Sequence, residues 1–90
     1  IVMRAILTVI GKDKVGIIAK VSQTLADLDL NIIDVTQTIL NDYFTMMMVL
    51  ESKGNADFKV IREKLDQTAE QLGVDIRIQN AEIFDAMHKL

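Results

Sequence analysis

The strongest chemical signal in this chain is the stretch Gly11-Lys12-Asp13-Lys14-Val15-Gly16-Ile17-Ile18-Ala19-Lys20-Val21-Ser22. It follows an apolar run from Ala5 to Ile10 that reads as a strand, and it opens into a helical hydrophobic pattern. A short glycine-flanked loop between strand and helix exposes the first N–H groups of the helix and the positive end of its dipole, which suits an anion. Each residue also has a plainer role. Asp13 can cap the helix, and Gly11 and Gly16 can serve only the turn and helix–strand packing. Lys12 and Lys14 can be solvated charges.

Other chemistries fail on residue type. Gly11 and Gly16 have the spacing of a phosphate-binding P-loop, but Ile17-Ile18 stands where Lys-Ser/Thr is needed. The single histidine, His88, lies in the tail without an obvious nucleophile or metal partner. No spacing favours a catalytic carboxylate pair. Cysteine is absent, so there is no disulfide framework, thiolate nucleophile or Cys-based zinc site. Met46-Met47-Met48 reads as core and interface filler, since alternate strand residues point to opposite faces. We therefore expect no catalytic residue, no metal and no cofactor, and a protein that is not an enzyme.

Composition narrows the class further. Ninety residues make one domain, and half of them are hydrophobic with few aromatics, so the core must be Ile, Val, Leu and Met. The formal net charge of −3 argues against direct nucleic-acid binding. No apolar run approaches a membrane span and no signal peptide is visible, so a cytoplasmic protein without membrane contact is expected. Ile1-Val2 before Met3 reads as a cloning remnant or an early start, which leaves residues 3–90 as the domain.

The elements that must position the loop follow from periodicity. Arg4 to Ile10 is a first strand, apolar on both faces. Val15 to Asp29 is a helix with Ile17, Ile18, Val21, Leu25 and Leu28 on one stripe and Lys20, Gln23, Thr24 and Asp27 opposite. Asn31 to Leu40 is a second strand with Ile33, Val35 and Ile39 on one side and Asp34, Thr36 and Thr38 on the other. Asn41-Asp42 signals a tight hairpin into a third strand, Tyr43 to Glu51, again apolar on both faces. Ser52 to Ala56 is a loop, and Asp57 to Leu72 is a second helix closed by Gly73. Val74 to Gln79 is a short strand, and 81–90 is a tail with Ile83, Phe84, Met87 and Leu90 at helical spacing.

This order predicts an α+β, ferredoxin-like βαββαβ sandwich: a four-stranded antiparallel sheet in the order 4-1-3-2, two helices on one face, and a short C-terminal helix. Strands one and three are central, which explains why both are apolar on both sides. Their second face exposes Ile, Met and Val, a patch that calls for another subunit or the tail helix. The RNA-recognition fold has the same order, but Tyr43-Phe44-Thr45-Met46 lacks its basic-Gly-aromatic pattern. Acylphosphatases have it too, but no Arg-bearing glycine loop follows the first strand.

The combination of Asp13-Lys14-Val15-Gly16-Ile17-Ile18, Asn31-Ile32, Asp34-Val35-Thr36-Gln37-Thr38-Ile39-Leu40 and Tyr43-Phe44-Thr45-Met46-Met47 resembles a stand-alone ACT domain over nearly the whole chain. It is similar to a group of single-ACT proteins of bacteria and archaea. It also looks like the ACT modules of the glycine cleavage system repressor and of formyltetrahydrofolate deformylase. Val15 stands where many relatives carry Pro. The resemblance implies a regulatory module that forms a homodimer, binds a small amino acid or related carboxylate near the interface, and signals to a partner protein.

The site residues so implied are Gly11, Asp13, Val15, Gly16, Ile17, Asn31 and Ile32. Val15, Gly16 and Ile17 would offer N–H groups to a carboxylate, Gly16 would permit close backbone approach, and Asp13 would pair with a ligand ammonium. Asn31 would bridge ligand and neighbouring subunit, although it can instead end the first helix in the left-handed conformation. A protein-interaction subunit without ligand is the alternative reading.

Overall fold

The structure, a computed structural model, describes residues 3–52 and 57–81. The elements are β1 (Met3–Gly11), α1 (Lys14–Asp27), β2 (Leu30–Leu40), β3 (Tyr43–Ser52), α2 (Phe58–Leu72) and β4 (Asp75–Asn80). The sheet order is β2-β3-β1-β4, with every neighbouring pair antiparallel. This is the expected ferredoxin-like order read from the other edge. The tail helix expected over 81–90 lies outside the described residues apart from its first position.

The central strands are apolar on both sides because both sides need it. Ala5, Leu7 and Val9 of β1 and Phe44, Met46, Met48 and Leu50 of β3 are buried under the helices. Ile17, Val21 and Leu25 of α1 and Ile61 and Leu65 of α2 close this core from above, and Ile76 and Ile78 of β4 complete it at one edge. The alternate residues, Ile6, Thr8 and Ile10 of β1 with Thr45, Met47 and Val49 of β3, line the face without helices, as the period of two requires.

Several details correct the sequence reading. Thr24, expected on the polar face of α1, is buried. Its hydroxyl meets that of Thr68 of α2 at 2.8 Å, and the two hydroxyls also reach the carbonyl oxygens of Lys20 and Lys64. A threonine fits a helix–helix contact where its hydroxyl is satisfied on both sides. Helix α1 ends two residues early: Leu28 is its C-cap and Asp29, at φ 59°, makes the left-handed turn. Asn31 is therefore a strand residue and ends no helix. Ser52 belongs to β3 rather than the following loop and is held there by bonds with the Met3 backbone. In β2 the register shifts between Ile32 and Asp34, leaving Ile33 as the extra residue of a bulge. Gly73 takes φ 66° at the end of α2, the conformation its position called for.

Candidate functional site

The β1–α1 connection is two residues long, Lys12 and Asp13. Asp13 is the N-cap of α1: it has extended backbone (φ −89°, ψ 90°), and its Oδ1 accepts the Gly16 N–H at 3.2 Å. The Asp13 carbonyl oxygen accepts the Ile17 N–H at 2.9 Å. Of the first N–H groups of the helix, those of Lys14 and Val15 are thus left to point outward. Val15 is 78% exposed, so a ligand has access to this turn. Gly16 carries no side chain for a reason visible in the cap: a Cβ there would lie 2.7 Å from Asp13 Oδ2.

Gly11 and Ile17 do different work. A Cβ on Gly11 would lie 2.5 Å from Val74 Cγ1 and 2.6 Å from Ile17 Cδ1, so this glycine lets helix and strands close on one another. Ile17 is 1% exposed and points into the core, which leaves only its backbone beside the loop.

The sheet adds residues that the sequence reading did not assign to the site. Gly11 pairs with Phe44, and Phe44 with Ile39, so the β2–β3 hairpin lies beside the loop. The Lys12 ammonium sits 5.4 Å from the Tyr43 ring centre, and that of Lys14 lies 5.9 Å from that of Phe44. The signal was available: antiparallel pairing of β1 with β3 necessarily sets the end of one against the start of the other.

Asn31 and Ile32 are elsewhere. Asn31 pairs with Glu51, which pairs with Arg4, at the opposite end of the sheet from Gly11. Seven residues of strand separate the two rows, roughly 23 Å. A single chain therefore brings Gly11, Asp13, Val15, Gly16 and Ile17 together and leaves Asn31 and Ile32 apart from them. Among the described residues no group of three or more His, Cys, Asp or Glu could hold a metal ion, and no helix is long and apolar enough to cross a membrane.

The model of the ACT domain matches residues 4–79. The chain belongs to the ACT-domain family. A UPF0237 protein of Listeria innocua is 55% identical over 89 residues, covering 98% of this chain and 100% of the relative. An ACT domain protein from Streptococcus pneumoniae has a solved structure that superposes with a TM-score of 0.84 at 50% identity, covering 96% of this chain and 98% of that one. The fold also matches, with a TM-score of 0.78 at 19% identity, a chain presented as a glycine cleavage system transcriptional repressor. That match covers 89% of this ACT domain and 46% of the other chain. ACT domains are generally regulatory, non-catalytic modules that bind amino acids and form dimers.

Proposed function

We propose that this chain is a regulatory module whose amino-acid site is shared between two copies. The β1–α1 loop of one copy would face Asn31-Ile32 of the other, and occupancy would be passed to a separate partner protein. The observation that carries this reading is the separation of the loop from Asn31 within one chain. Strand β2 is an edge, exposed from Asn31 to Leu40, and it carries Ile32, Ile33, Val35 and Ile39 with neither Lys nor Pro to blunt it. Such an edge is a template for pairing. If two β2 edges pair antiparallel about Val35, Asn31 of one copy lies opposite Ile39 of the other. The row Gly11–Phe44–Ile39 then continues to the second copy's Asn31, about three strand spacings or ~14 Å from Gly11 between backbones. Helix α1 and a small ligand span the remaining gap.

In this site the ligand carboxylate accepts from the N–H groups of Lys14 and Val15, with the two lysine ammonium groups nearby. Asp13, whose Oδ1 is used by the cap, offers Oδ2 to the ligand ammonium. Asn31 supplies both a donor and an acceptor. Two states that differ in ligand affinity are what regulation requires, and edge pairing is the element that occupancy would bias. The absence of cysteine fits the reducing cytoplasm as its location.

A thermal-shift screen against the twenty amino acids and common anionic metabolites, with light scattering on the same sample, tests the reading. Ligand at a hundred times Kd stabilises the native state by about 2.7 kcal/mol. A selective shift abolished by Asn31→Ala, with the assembly intact, is expected. The engagement of Asp13 as a cap favours the second reading, an assembly subunit without ligand. No shift from any compound, with a stable dimer, would establish that one instead.

A further inference from the structure

The amino-acid site proposed above draws on the backbone of the β1–α1 turn, Asp13 and Asn31, and it leaves the Lys14 ammonium without a partner of its own. Lys14 is the first residue of α1, and its ammonium lies 5.9 Å from the centre of the Phe44 ring. Phe44 is 2% exposed and belongs to the core beneath the helices, so the ring is a fixed platform for that charge. Lys12 is placed differently. Its ammonium lies over Tyr43, and consecutive strand residues point to opposite faces of a sheet. The two ammonium groups therefore stand on opposite sides of the sheet's end, and that of Lys14 shares a face with α1. Among the described residues neither forms an ion pair: the pairs are Arg4 with Glu51 and Arg77 with Asp75. The first turn of α1 carries no acidic residue, although helices favour Asp or Glu there. Along the chain, the acid next to Lys14 is Asp13, and the acid next to Tyr43 is Asp42.

We propose that Lys14 makes this site selective for an amino acid with a second carboxylate, of the aspartate or glutamate class. This selectivity rests on the amino-acid site shared between two copies and adds what that site recognises in the ligand's side chain. Charge sets the count. The ligand's α-carboxylate accepts from the N–H groups of Lys14 and Val15 at the positive end of α1, and its ammonium meets Asp13 Oδ2. Each ligand charge is then matched, and the Lys14 ammonium remains as an unmatched positive charge. A neutral amino acid leaves it so. A side-chain carboxylate matches it with a charge-assisted hydrogen bond. Reach agrees. The Lys14 N–H and the Lys14 ammonium are joined by a flexible four-carbon stem. The two carboxylates of an acidic amino acid are joined through its α-carbon and a short methylene chain, so this single residue can hold both. The amide isostere of the same ligand fills the same volume and forfeits the charge. For an exposed pair that difference is worth up to about fivefold in affinity.

The test is calorimetry at low ionic strength with L-aspartate and L-glutamate against L-asparagine and L-glutamine, their uncharged isosteres. It is run on the wild type, Lys14→Met, Lys14→Arg and Lys20→Met, the last removing the same charge from an exposed position further along α1. The wild type is expected to bind one of the acids about fivefold more tightly than its amide, a preference that shrinks as salt is added. Lys14→Met should bring that ratio to one with little change in the amide, while Lys14→Arg and Lys20→Met keep it. An amide that binds the wild type as tightly as its acid overturns the proposal. So does an acid preference that survives Lys14→Met or falls equally in Lys20→Met. A neutral amino acid bound without acid preference, and lost in Asn31→Ala, overturns this selectivity and spares the shared site. A wild-type protein that binds no amino acid removes both.

Discussion

Replacing Gly11 by Ala should cost far more than replacing Gly16 by Ala, although both glycines flank the same loop. At Gly11 the new Cβ would sit 2.5 Å from Val74 Cγ1 and 2.6 Å from Ile17 Cδ1. Comfortable carbon–carbon contact is ~3.5–4.0 Å, so each overlap is on the order of 1 Å. Ile17 is 1% exposed and has core neighbours around it, so it has little room to retreat. Overpacking of this kind costs about 1–3 kcal/mol. A domain of this size loses ~4–8 °C of melting temperature per kcal/mol, so the drop should be roughly 5–20 °C. At Gly16 the new Cβ meets only the Asp13 carboxylate, at 2.7 Å. Loss of that cap costs ~0.5–2 kcal/mol, and removing a glycine from the helix returns ~1 kcal/mol. The net change should therefore stay within about 1 kcal/mol. Urea and thermal melts of both variants at fixed protein concentration make the comparison. A Gly11→Ala protein that melts with the wild type, or a Gly16→Ala protein that is the less stable of the two, would refute the packing argument.

Thr24→Val should destabilise by about 1 kcal/mol because it removes one of the two partners of the Thr68 hydroxyl, the other being the Lys64 carbonyl oxygen. The double variant Thr24→Val/Thr68→Val should recover most of that loss, and a double-mutant cycle by urea denaturation measures the coupling. Gly73→Ala should cost ~1 kcal/mol in thermal melts, from strain at φ 66° alone, since nothing lies within 4 Å of the added Cβ. Asp13→Ala should cost about 1 kcal/mol by loss of the cap at Gly16, seen as faster amide exchange in the first turn of α1 and no change in that of α2.

The fold was legible because alternation and helical spacing are properties of the chain itself. Double-sided apolar strands at β1 and β3 dictated their central places, and Asn41-Asp42 and Gly73 marked a turn and a cap by residue chemistry. What escaped depended on contacts between distant segments. Thr24 looks polar on a helical wheel and is buried only because Thr68 answers it across the helix pair. The bulge at Ile33 follows from fitting β2 onto β3, which Asn31-Ile32-Ile33 does not announce. The end of α1 moved because Asp29 tolerates a left-handed backbone that many residues resist. At the candidate site the local part, Asp13 capping a glycine-bearing helix start, could be read from the loop. The distance from that loop to Asn31 could not be seen until strand register placed them at opposite ends, and it turns a one-chain pocket into a two-chain hypothesis.

The most direct test of that hypothesis is complementation between Asp13→Ala and Asn31→Ala, each inactive alone in binding the amino acid found by the screen. A site shared across a two-fold axis predicts that mixing and re-equilibrating equal amounts restores about a quarter of the wild-type binding capacity by calorimetry, since only one site in each mixed dimer keeps both residues. A mixture that binds no more than either variant would contradict the shared site.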